Sequence, residues 1–203
     1  GHYSLHVGKD FYFSNKVKFR TSLGHMSEQE TWLGNSSDGV LAVGDNNNTT
    51  SANLGVAYQL GNNVLSLDYS RGKTDVNTVD NSLIKSFSDI ETESYRLAYE
   101  IHKDKHTTFG WSFSLPSHIT SGSMDLEVAE SVNLDGTINY TDINSDLKQT
   151  TKEKNLGFFY SKTPEHDLDA TFNFTAEYRQ DVAGQDGKDG VNLAMNYVKK
   201  FSG

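Results

Sequence analysis

The chain has no cysteine, two prolines and no run of eighteen apolar residues among its 203 positions. Without cysteine, neither a disulfide nor a thiolate metal site can form. Without a long apolar run, no transmembrane helix is encoded. Basic residues are the minority. Eighteen Lys and Arg stand against 27 Asp and Glu, a net charge of −9. That balance argues against nucleic acid as the main partner, because phosphate recognition needs a basic face. No G-x-S-x-G nucleophile elbow is present. A mean hydropathy of −0.60 does not exclude a membrane barrel, in which only alternate strand residues meet lipid and the loops are polar.

What is present is alternation. Apolar and polar residues exchange with a period of two, the spacing at which side chains share one face of a strand. Tyr3, Leu5 and Val7 lie on one face, as do Val17, Phe19, Thr21 and Leu23. Leu54 to Leu60, Leu65 to Tyr69, Tyr95 to Ile101 and Phe109 to Leu115 follow the same rule. So do Leu156, Phe158 and Tyr160, although Phe159 breaks the pattern on the other side. Phe172 to Tyr178 and the terminal run Val191, Leu193, Met195, Tyr197 and Phe201 complete about nine strands. Short connections (Ser14-Asn15, Gly61 to Asn63, Lys103 to His106, Thr163 to His166) alternate with long ones near 27–50, 72–91, 130–150 and 179–189. Strict alternation requires 107–129 to be one strand bent at Pro116. The segment around Gly136–Asn144 is a possible tenth strand. The expectation is an all-β chain, residues 1–203 forming a single domain. Its strands make an antiparallel up-and-down meander with tight turns on one rim and long loops on the other.

Several loose motifs, in order, point further. W-L-G-N-S-S-D-G-V-L-A-V-G (Trp32–Gly44) leads into L-G-V-A-Y-Q-L-G (Leu54–Gly61). S-L-I-K-S-F-S-D-I (Ser82–Ile90), F-S-L-P-S-H-I-T-S-G-S-M-D-L (Phe113–Leu126), L-D-G-T-I-N-Y (Leu134–Tyr140) and a terminal N-Y-V-K-K-F follow. Together they resemble the C-terminal region of subtilisin-like serine-protease autotransporters of Gram-negative bacteria. The resemblance implies a translocator β-barrel of the outer membrane, with a protease passenger upstream. It implies three partners: outer-membrane lipid, the barrel-assembly machinery and the chain's own N-terminal passenger. Such barrels have about twelve strands, so about three are expected before Gly1. The protease triad belongs to the passenger and maps to no residue here. This chain is therefore not expected to be an enzyme or to carry a cofactor.

Candidate sites are few. Lys18, Arg20, Asp68, Arg96, Glu100 and Glu177 fall on the polar faces, as paired charges inside a barrel or as lumen groups guiding a passenger. Tyr58, Tyr69, Tyr95, Tyr99, Trp111 and Tyr178 are either interfacial belts or ordinary strand aromatics. His102 and His106 flank a tight turn and read as structural. Asp45 to Asn48 and Asp186 to Gly190 have oxygen ligands for calcium but lack the full loop pattern, and turn chemistry accounts for them.

Alternation alone does not say whether the apolar face meets lipid or the protein's own core. The first case is a membrane barrel with a polar interior, sealed by the strand that ends at Phe201. The second is a soluble, secreted barrel or sandwich acting as an accessory or binding module. A hydrolase embedded in a barrel is a remote third reading.

Overall fold

The structure, a computed structural model, describes residues 2–28, 31–32, 35–36, 43–44, 47–80, 82–165 and 169–199. Among these residues fourteen strands form: β1 His2–Tyr12, β2 Val17–Glu28, β3 Thr31–Trp32, β4 Asn35–Ser36, β5 Asn47–Leu60, β6 Asn63–Asp75 and β7 Ile84–Phe87. They continue as β8 Ile90–His102, β9 Thr107–Ser121, β10 Ser123–Val132, β11 Ile138–Asp146, β12 Lys154–Lys162, β13 Ala170–Gln180 and β14 Gly190–Lys199. Nine of them make one antiparallel meander in the order β1-β2-β5-β6-β8-β9-β12-β13-β14. A three-stranded sheet β11-β10-β7 and the small β3-β4 pair stand apart.

The turns follow from local chemistry. β5 and β6 are joined by Gly61-Asn62, and Gly61 takes φ +63, as this kind of two-residue loop demands. Between β1 and β2 the Ser14 hydroxyl accepts from the backbone N–H groups of Lys16 and Val17, both at 3.2 Å. Between β8 and β9 the Asp104 carboxylate accepts from the His106 N–H at 2.7 Å. All three turns lie on one rim, and the long connections lie on the other.

The expectation of one strand over 107–129 is corrected. β9 runs through Pro116, near a register shift against β8, and ends at Ser121. The break comes at Gly122, where φ is +147, and the chain then leaves the large sheet for the small one. A side chain at Gly122 would press on Ile90. The segment expected as a tenth strand is β11, which pairs with β10 and not with the meander.

The buried core sits at the long-loop rim. Val43, Val76, Ile84 and Ile90 pack there with Phe87, Ile119, Met124, Leu126 and Leu147. Fully buried Asn47 clamps this region, donating to the Gly44 carbonyl at 2.8 Å and accepting from the Asn77 N–H at 2.7 Å. Among the described residues the meander itself encloses no comparable core. The chain exposes 13437 Å², against about 9,500 Å² for a compact globular chain of its mass. Among the described residues, β1 hydrogen-bonds only to β2 and β14 only to β13, so the sheet is open.

Candidate functional site

The two faces of the meander are chemically opposite. Register sets the first face row by row. Phe19, Val56, Leu67, Leu97, Phe113, Leu156, Tyr178 and Val191 are successive cross-strand neighbours. The next row towards the short turns is Val17, Tyr58, Leu65, Tyr99, Trp111, Phe158, Ala176 and Leu193. Among the described residues nothing covers this face. Leu97 is 45% exposed, Trp111 52%, Leu193 68% and Met195 71%.

This apolar band climbs across the sheet. The register row through Ala194, the middle of the β14 run, passes Thr175, Phe159, Gly110, Glu100, Val64 and Gln59. It arrives at Lys16, in the turn after β1. The apolar run of β1 is centred on Val7, about seven residues nearer the long-loop rim. Over eight strand-to-strand steps, that drift corresponds to a tilt of about 30° between the strands and the normal to the band.

Aromatic residues edge the band. Near the long rim the Tyr69 and Tyr95 rings lie 5.0 Å apart, and both hydroxyls donate to Glu93, at 3.1 and 3.0 Å. The Tyr178 hydroxyl donates to Asp189 at 2.6 Å. Just beyond them stand the ion pairs Arg71–Glu91 at 2.9 Å and Lys73–Asp89 at 2.6 Å. Nearer the short rim, Trp111 packs on Phe158 with ring centres 4.7 Å apart, and Tyr160 meets Phe172 at 6.5 Å. Tyr58 and Tyr99 lie inside the band.

The other face carries small and polar residues. One register row reads Asp10, Arg20, Gly55, Asp68, Arg96, Ser114. Asp10 holds Lys18 at 2.6 Å and Arg20 at 3.3 Å. Asp68 leans into the space that a side chain on Gly55 would fill. Arg96 stands between two depressions of about 470 and 340 Å³. Ser70, Ser94 and Ser114 line the first, and Ser112, Glu177 and Asn192 the second. Asp68, Arg96 and Glu177 make no ion pair among the described residues. Glu100 approaches His102 at 3.7 Å. Phe159, the residue that breaks the alternation, lies over Gly110, whose missing side chain leaves room for the ring.

The remaining candidates have structural partners. His102 meets the Thr108 hydroxyl at 3.0 Å across the turn. Asp181 accepts from the Gly187 N–H at 3.0 Å, and Asp189 from the Asp181 N–H at 3.3 Å. The 181–189 loop thus uses its carboxylates to hold its own backbone, and no metal-binding cluster occurs among the described residues. Asp45, His166 and Phe201 lie outside the described residues. The sequence reading missed Asp10: Phe13 pairs with Val17 around a three-residue loop at 14–16, and that register sets position 10 opposite position 20. It also missed Glu93, which sits in a run of polar residues and is marked only by its spacing from Tyr95. Comparison with protein-family models, curated proteins and solved structures returns no match.

Proposed function

We propose that this chain is the membrane-spanning β-domain of an outer-membrane protein of the autotransporter translocator type. In this reading it anchors or exports an N-terminal protease passenger and performs no bond chemistry itself. The uncovered apolar band carries the proposal. A soluble sandwich or barrel would bury that face against a second layer. Here nine strands leave it uncovered among the described residues, and the tyrosine hydroxyls turn towards charges at one edge. Seven to nine residues per strand, tilted by about 30°, make a band roughly 20 Å tall. Outer-membrane barrels carry apolar bands of about 25 Å between aromatic girdles, in a bilayer thinner than average. The polar face, with Arg20, Asp68, Arg96 and Glu177, then lines a hydrated lumen. The strand leading to Phe201 is the one that the assembly machinery reads.

Gel migration tests this. The folded protein should form only in detergent or lipid and should shift its migration on heating. A monomer that folds in detergent-free buffer would overturn the membrane reading in favour of a soluble accessory domain. The assembly role is separate: Phe201→Ala should lower insertion in cells, and unchanged insertion would remove that part.

A further inference from the structure

The β10–β11 hairpin has features that the membrane reading does not use. Residues 123–146 contain six carboxylates (Asp125, Glu127, Glu130, Asp135, Asp142 and Asp146) and no Lys, Arg or His. Among the described residues β11 pairs with β10 on one side only. Leu147 N–H donates to the Gly122 carbonyl and Asn133 N–H to the Thr137 carbonyl. Antiparallel bonding alternates between these fixed points. Odd-numbered residues of β11 therefore bond to β10, while Ile138, Tyr140, Asp142 and Asn144 turn their backbone N–H and C=O groups outward. The side chains of these four share one face of the strand. Register adds Val132 opposite Ile138 and Glu127 opposite Asp142 to that face. Val132, Ile138 and Tyr140 are all exposed, and Leu134 is fully exposed at the tip. The face is thus apolar towards the tip and acidic towards the base. Among the described residues, Lys85, on Glu127 at 2.7 Å, is the one cation paired with the hairpin's carboxylates.

We infer that β11 is a docking edge for an extended, basic segment of another protein, which adds as a strand beside it. The open ladder supplies backbone hydrogen bonds. The alternate side chains of the incoming strand meet Ile138 and Tyr140 and then Asp142, so the segment that fits carries apolar and then Lys or Arg side chains at a spacing of two. Charge complementarity selects the occupant. A second copy of this hairpin would set carboxylates against carboxylates, which disfavours self-pairing. The inference stands apart from the membrane reading, since the hairpin belongs to a separate sheet.

The test uses the full folded chain and a fluorescent peptide of alternating Lys and Val, read by anisotropy at low and high salt. The peptide should bind, and salt should weaken it. Binding should fall about tenfold for the double variant Glu130→Lys, Asp142→Lys, both at exposed positions. A fully N-methylated peptide, unable to pair through its backbone, should lose binding to the same extent. Far-UV circular dichroism matching the parent shows that the variant is folded. Equal binding of the N-methylated peptide, or of the charge-reversed variant, would overturn the inference. So would dimerisation through the hairpin in the absence of peptide.

Discussion

Replacing Leu97 with arginine separates lipid from water at the apolar face. Leu97 lies midway up β8, between Leu67 and Phe113 on the neighbouring strands, and is 45% exposed. It touches no buried core, so its removal creates no cavity. If the face meets water, the substitution is an ordinary surface change worth within about 0.5 kcal/mol. If the face meets hydrocarbon, an arginine at mid-depth costs about 2–4 kcal/mol, roughly a 30- to 1,000-fold loss in the folded-to-unfolded ratio. Tyr197→Arg supplies the depth control. Tyr197 sits at the short-rim end of the β14 run, where the cost should fall to about 0–1 kcal/mol. The assay is equilibrium urea unfolding in phospholipid vesicles, followed by tryptophan emission and gel migration. Equal, near-zero costs at both positions would refute the outward-to-lipid assignment. Equal, large costs would refute the placement of the band's edge.

Four other outcomes follow from the geometry. Gly110→Ala should destabilise the fold by about 1–3 kcal/mol, because the added carbon meets the Phe159 ring and the Tyr99 carbonyl; an unchanged unfolding midpoint would remove Phe159 from that space. Glu153 takes Arg179 in two hydrogen bonds, at 2.7 and 2.9 Å, and the Ala183 N–H at 2.8 Å. Glu153→Gln should cost about 1.5–3 kcal/mol, seen as a lower urea midpoint. Arg179, aided by that N–H, also holds the Glu153 carboxyl below its ordinary range. Its stabilisation is therefore complete above the unfolded carboxylate's pKa and is lost as pH falls through the lowered folded value. The Gln variant should flatten that acid limb, and an unaltered limb would contradict the assignment. Ala183 sits at φ 55, so Ala183→Gly should raise stability by up to about 1 kcal/mol; a loss would mean that its methyl group packs. Disulfide scanning between β1 and β14 should report parallel register or no contact, and an antiparallel pattern would contradict the topology.

Most of the meander was legible because alternation is a local signal. Leu65, Leu67 and Tyr69 share a face whatever they pair with, and tight turns such as Gly61-Asn62 fix the register of the next strand. The rim was harder to read. Val43, Val76 and Ile84 lie in or beside long loops, where no period marks them, and they meet only because β7 joins β10 far along the chain. Across Gly122 the apolar positions change phase, from Phe113, Leu115 and Ile119 to Met124, Leu126 and Val128, but a change of face does not say which sheet a strand enters. Phe159 looked like an error of pattern and is instead one half of a pair with Gly110, formed across two strands remote in sequence. Lys18, Arg20, Asp68, Arg96, Glu100 and Glu177 alternate with the apolar positions of their strands, which is what made them visible in the sequence. It did not pair Lys18 and Arg20 with Asp10, because position 10 was not carried across the hairpin.

The odd number of strands in the meander, nine among the described residues, has a consequence for how its two edges can pair. β1 and β14 both run from the long-loop rim to the short-turn rim, so the two open edges point the same way. Copies inserted with their loops on the same side of a membrane would all present like-directed edges. No such copy offers another an antiparallel neighbour, and the parallel pairing left to them is somewhat weaker per residue. An exposed sheet edge usually invites growth into fibres. Between β1 and β14 the direction of the chain works against it: only a partner with a reversed strand can make the better joint with either of these two edges.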